Sequence, residues 1–200
     1  MTVGSAQKIA QKTLRKAVHA TGVGLHSGRD VTLRICPAAP DTGIVFVRAD
    51  LPPGDDGGAN EIPALALNVV ATAMSTTLAR GTAQVGTVEH LMASFAGLDI
   101  DNARVEVDGA ELPIMDGSAA PFILLLKEAG IQRQDADRKF VRILKQVRFT
   151  QGDASAQLEP HDGFRVAYTL LYDHPVFRSH ATQAAVEFAG STFDLSLIHI

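Results

Sequence analysis

Apolar residues recur at helical spacing in only two stretches of this 200-residue chain, and both lie before residue 130. In the first, Val88, Leu91, Met92, Phe95 and Leu98 fall on one face, and Thr87 is placed to serve as N-cap. The second runs from Ser118, again a capping residue, to Ala129, with Gly130 as its stop. Every other patterned stretch reads as strand. Gln11 to Ala20 is one, Asp30 to Ile35 alternates cleanly, and Ile44 to Val47 is a third. Asp50 to Asn60 is all turn chemistry. Leu65 to Leu78 leans towards strand, Thr82 to Val85 is short and β-like, and Ala103 to Val107 is a strand. The fold class expected is therefore α+β.

A change of composition marks the domain organisation. From Ile131 to Lys139 the chain turns polar (IQRQDADRK), which predicts a linker over 131–139 between a first domain, 1–130, and a second, 140–193. Four β-like runs follow: Val141 to Thr150, Ser155 to Leu158, Phe164 to Tyr172 and Ala184 to Phe188. No helix with an apolar stripe accompanies them. A sheet needs a second layer, so the second domain reads as incomplete, ahead of a divergent tail at 194–200.

Bulk properties exclude some functions. Hydrophobic residues make up 46% and charged residues 20%, too apolar a mixture for a disordered chain. The net charge of −4, without a basic stripe, argues against a general nucleic-acid binder. Cys36 is the only cysteine, so an intrachain disulfide and a thiolate zinc cage are both excluded, and any metal would need His and carboxylate ligands. The N-terminus lacks an apolar run of signal-peptide length, and the longest strongly apolar stretch, around Pro121 to Leu126, is far short of a membrane span. A cytoplasmic protein without a transmembrane segment is expected.

On a helical wheel at about 100° per residue, Glu89, His90, Ala93 and Gly97 lie opposite the apolar set. An adjacent carboxylate and imidazole beside small residues suit a general base next to a metal ligand; they equally suit a solvated helix face. Upstream, Gly22 and Gly24 permit unusual torsions, and the turn they make either presents His26 to a ligand or leaves it merely exposed. Asp116 reads as structural, beside the N-cap Ser118.

Three segments, in order and spacing, resemble the UDP-3-O-acyl-N-acetylglucosamine deacetylase family. They are Ala20-Thr-Gly-Val-Gly-Leu-His-Ser-Gly28, Thr87-Val-Glu-His-Leu-Met-Ala93 and Pro113-Ile-Met-Asp-Gly-Ser-Ala-Ala-Pro-Phe122, with a weaker fourth at Leu171-Tyr-Asp-His-Pro175. The resemblance extends from about Gln11 to Phe193. It implies two domains of similar build with the active site between them, and a zinc enzyme that removes the acetyl group from a UDP-linked, acylated glucosamine on the lipid A pathway. His90 is then a zinc ligand and Glu89 the base that activates the zinc-bound water. Zinc polarises the acetamide carbonyl, and collapse of the tetrahedral oxyanion releases acetate and amine. His26 becomes a substrate-side residue, and Tyr172 a ring against the uracil. A monomer is expected.

Several positions depart from the family pattern. Leu171 stands where a carboxylate is expected, and Ala154 where a lysine often serves the diphosphate. The family also needs a second histidine, with an aspartate four residues later, on a later helix. His26 and Asp30 have that spacing, but they run from a turn into a strand and share no helical face. Thr192-Phe193 arrives too early to be the family's Ala-Arg-Thr-Phe-Gly segment with its catalytic threonine, and the tail ends in His199-Ile200, which carries no functional weight. The acyl chain's apolar passage belongs mainly to the second domain in this family. The resemblance thus implies an inactive fragment of an enzyme. A non-catalytic module that binds a nucleotide or sugar through the glycine turn and Tyr172 is the alternative, and a gene remnant that does not fold stably is a third.

Overall fold

The computed structural model describes residues 9–54, 58–169 and the backbone of 183–188. The architecture is α+β, and the chain divides into two compact units after Arg138.

In the first unit, alternation builds the main sheet. Strands β1 (Ala10–Leu14), β2 (Val18–Val23), β3 (Asp30–Pro37), β4 (Ile44–Arg48) and β5 (Glu61–Pro63) open the unit. Three short strands follow: β6 (Val69–Ala71), β7 (Thr77–Arg80) and β8 (Ala83–Val85). After helix α1 (Glu89–Gly97) comes β9 (Ala103–Val107), and helix α2 (Ala120–Ala129) leads directly into β10 (Ile131–Asp137). Five strands make one sheet in the order β2-β3-β9-β4-β5. All its pairs are antiparallel except β4 with β9, which run parallel. Val31, Leu33 and Ile35 of β3 and Ala103, Val105 and Val107 of β9 point into the core, while their neighbours face outward. The aromatic core residues Phe46, Phe95 and Phe122 come from β4, α1 and α2, and α2 packs against both α1 and β2. Each fully buried side chain of this kind contributes about 1.5–3 kcal/mol.

Two expectations need correcting. The strand read over Gln11 to Ala20 is two, β1 and β2, which belong to different sheets. The linker read over 131–139 is for most of its length strand β10, antiparallel to β1 with Leu14 opposite Ile131. Its polar residues mislead because most of them, Gln132, Arg133, Asp135 and Asp137, are exposed as a linker's would be, while Gln134 ties the strand into a hydrogen-bond network. Asn102, 1% exposed, donates through Nδ2 to Gln134 Oε1 (2.7 Å) and Gln11 Oε1 (2.8 Å), and its Oδ1 accepts from the Gly43 amide. Gln134 Nε2 donates to the Ala38 carbonyl. Just beyond β10, Arg138 bridges Asp99 and Asp101 at 2.6 Å each. A buried polar group with every partner in place fixes a unique pairing, so composition alone hides the strand.

Around the cleft described below, Leu65 to Leu78 folds as a single 3-10 turn (Ala66–Asn68), then β6 and the start of β7. Strands β6, β7 and β8 form a small antiparallel sheet of their own.

In the second unit, β11 (Val147–Gln151) and β12 (Ala154–Leu158) make a hairpin, and β13 (Phe164–Thr169) pairs antiparallel with β14 (Gln183–Phe188). These are two separate two-stranded sheets. Phe149, Leu158, Phe164 and Tyr168 are all exposed, so among the described residues neither sheet has a covering layer. No helix among the described residues is long and apolar enough to cross a membrane.

Candidate functional site

The candidate site grows out of the chain's approach to α1. Strand β8 ends at Val85, Gly86 forms a parallel bridge with Glu111, and Thr87 then turns sharply with φ +57°. That conformation costs a β-branched residue on the order of 1–3 kcal/mol and persists only where neighbours enforce it. Thr87 was expected to cap α1. Its hydroxyl instead donates to the buried carboxylate of Glu111 at 3.1 Å, and Val88 takes the N-cap position without a side-chain cap. The apolar stripe holds as read: Val88, Leu91 and Phe95 are buried, and Met92 and Leu98 pack partly against the core.

With that face inward, Glu89 and His90 are half-buried and line a cleft of about 560 Å³ that also includes Leu25, His26, Met115 and Asp116. The cleft therefore brings His26, Glu89 and His90 together. Tyr172 and Leu171 lie outside the described residues. Glu89 is held by the Thr76 amide, which donates to its Oε2 at 2.9 Å. The negative side chain in the first turn of α1 also meets the positive end of the helix dipole. His90 is distinctive in another way: its Nδ1 is buried and has no hydrogen-bond partner. Polar atoms in that condition call for a partner, and an imidazole nitrogen beside a carboxylate suits a metal such as zinc. Among the described residues no group of three His, Cys, Asp or Glu side chains is arranged to hold a metal ion. The unpartnered nitrogen of His90 fits as one ligand of a set, with the Glu89 carboxylate beside it.

Asp116 lies at the mouth of the cleft and organises the loop that enters α2. Its Oδ1 accepts from the Ser118 amide (2.9 Å) and hydroxyl (2.8 Å). These bonds hold its carboxyl below the usual range. Ser118 stands one residue before Ala119, the N-cap, and its Oγ accepts from the Ala120 amide at 3.1 Å.

Glu111 escapes a reading of periodicity, although a lone carboxylate between Ala110 and Leu112 in an otherwise apolar run is a signal. It is 6% exposed. Burial pushes its carboxyl up, but donors from His26, Ser27 and Thr87 outweigh this and leave it below its ordinary value of 4.5. A depressed folded-state value means that the stabilisation is fully present above the unfolded value and is lost as pH falls through the folded one. Wild-type melting temperature should accordingly drop as pH falls below the ordinary value of 4.5, beyond the general effect of acid, while Glu111→Gln lacks that component. Circular-dichroism melts of both proteins across this range, showing the gap narrowing towards acid, check the sign.

Residues 11–198 match the model of the UDP-3-O-acyl N-acetylglycosamine deacetylase (LpxC) family. A curated relative, the UDP-3-O-acyl-N-acetylglucosamine deacetylase of Pseudomonas entomophila (strain L48), is 51% identical over 185 residues. That match covers 92% of this chain and 59% of the relative, so the chain spans about three-fifths of the relative's length.

Proposed function

The chain belongs to the UDP-3-O-acyl N-acetylglycosamine deacetylase family, and from that membership we propose that the whole protein hydrolyses the acetamide of a UDP-linked, 3-O-acylated N-acetylglucosamine to the free amine and acetate. The observation that carries the reading is the shared cleft of Glu89, His90 and His26, with a buried His90 nitrogen that lacks a partner. In this reading His90 contributes one ligand to a zinc ion. When bound, zinc supplies a Lewis acid that lowers the pKa of water and polarises the acetamide carbonyl. Glu89, with Oε2 anchored by the Thr76 amide, takes the proton of the attacking water on Oε1 and returns it to the departing amine. His26, which lines the same cleft, serves as a substrate-side residue, and Tyr172 is assigned to the uracil. The protein acts as a cytoplasmic monomer on the lipid A pathway.

One imidazole holds zinc only weakly, since catalytic sites use three protein ligands. The 200-residue chain is expected to retain well under one zinc per chain after dialysis and to release no acetate from the UDP-linked substrate. The whole-length protein is expected to do both. Metal analysis with an acetate assay decides: a whole-length protein that keeps zinc but leaves the acetamide intact defeats the functional reading. Tight stoichiometric zinc with turnover in the shorter chain defeats the ligand count. A non-catalytic nucleotide- or sugar-binding module would instead tolerate replacement of both Glu89 and His90.

A further inference from the structure

The two walls of the cleft are built from segments far apart in sequence, the turn carrying His26 and the approach to α1, and one buried side chain joins them. Glu111 Oε1 accepts from the His26 amide (3.0 Å) and the Thr87 hydroxyl (3.1 Å), while Oε2 accepts from the Ser27 amide (2.9 Å). The Ser27 hydroxyl faces the same carboxylate. The strand-like segment that carries Glu111 is itself pinned to that approach: the Gly86 amide donates to the Ala110 carbonyl at 2.9 Å, and the Leu112 amide to the Gly86 carbonyl at 3.0 Å. Space around the carboxylate is fully used. A Cβ on Gly24 would strike Ser27 Oγ and lie 2.6 Å from Glu111 Oε2, so the turn closes on the carboxylate only with glycine there. Two residues beyond Thr87 stands Glu89, and the next residue is His90.

We propose that Glu111 is a positioning residue: its carboxylate latches the His26 turn to the left-handed Thr87 and thereby sets the spacing of His26 from the Glu89–His90 pair. This rests on the reading of those three residues as the active site. The arrangement uses a carboxylate because every partner is a donor. Glutamine has the same shape, but its amide group would face a donor with hydrogens of its own. The latch also explains why Thr87 keeps a strained backbone: its hydroxyl has a charged partner that is fixed from the other wall.

The test uses the 200-residue chain, with Co²⁺ as a paramagnetic probe at the Glu89–His90 pair, and needs no turnover. NMR reads two quantities: amide hydrogen exchange at His26 and Ser27, and Co²⁺ broadening of the His26 ring relative to the His90 ring. Glu111→Gln is expected to speed exchange at the two amides about tenfold or more, as befits loss of hydrogen bonds to a charged group. It should also remove the His26 broadening while His90 stays broadened. Thr87→Ser should behave as wild type in both measurements. Thr87→Val should lose the His26 broadening yet keep the two amides protected. Unchanged exchange and broadening in Glu111→Gln overturns the proposal. So does exchange that rises equally throughout the first unit, which would mark Glu111 as a general stabiliser. Should Glu111→Gln fail to fold, the two Thr87 variants decide, and equal His26 broadening in both overturns the latch. If Co²⁺ in large excess over the chain, as a single weak ligand requires, broadens neither histidine of the wild type, the reading of His90 as a metal ligand fails. The latch is then judged on amide exchange in Glu111→Gln alone, where unchanged rates overturn it.

Discussion

Glu89→Gln in the whole-length protein is expected to lower acetate release by roughly 10²–10⁴-fold, the usual range for loss of a positioned general base. The substitution is nearly isosteric. The Thr76 amide, which donates to Glu89 Oε2 in the native chain, still finds a carbonyl oxygen to donate to, and the apolar face of α1 is untouched. Thermal stability should therefore change by no more than about 0.5 kcal/mol. Zinc content should also persist, because the buried nitrogen assigned to the metal belongs to His90. What the amide cannot do is accept a proton from water. His90→Ala separates the two roles, since it should lose metal and turnover together. The measurements are initial rates of acetate release and zinc content for wild type and both variants. Turnover of Glu89→Gln within tenfold of wild type removes Glu89 from the chemistry and with it the proposed mechanism.

How much of this was legible without coordinates depends on whether one face of an element is buried. Strands β3, β4 and β9 alternate because one side meets the core, and each was read within about two residues of its true limits. The stripe on α1 was equally clear, and Gly130, at φ +70°, ends α2 as expected. Strand β10 was lost because its polar side chains are mostly exposed, and the contacts of Gln134 with Asn102 and the Ala38 carbonyl are ones that sequence spacing does not encode. Thr87 was misassigned for a related reason. A threonine before a helix is a good cap by propensity, but a carboxylate 24 residues away competes for its hydroxyl and wins. The site divides the same way. Local periodicity sets Glu89 and His90 opposite the apolar face, and the glycine turn displays His26, but only the resemblance to the family singles them out from a solvated face and an exposed turn. Glu111, which joins the turn to α1, depends on three segments meeting in space.

Phe95→Ala is expected to destabilise the first unit by about 3–5 kcal/mol, the usual cost of emptying a buried aromatic site. Helix α1 has only nine residues, too few to hold helical structure without tertiary support. Its hold on the core comes from Val88, Leu91 and Phe95, each 2% exposed or less, and Phe95 is the largest of them. The Phe95 carbonyl also accepts from the Ile100 amide at 2.9 Å, which fixes the turn leading into β9. Removing the ring therefore loosens both the helix that aims Glu89 and His90 and the entry to the strand at the centre of the sheet. Against a total stability of about 5–15 kcal/mol for a domain of ordinary size, the loss is a large fraction. Urea unfolding of the 200-residue chain, followed by far-UV circular dichroism, measures it. Phe149→Ala provides the contrast: Phe149 is 66% exposed on β11, so its removal should cost no more than about 0.5 kcal/mol. A loss below about 1 kcal/mol for Phe95→Ala falls outside the range for such sites. It would mean that the apolar face of α1 does not hold the helix, and the aim of Glu89 and His90 into the cleft would then need another support.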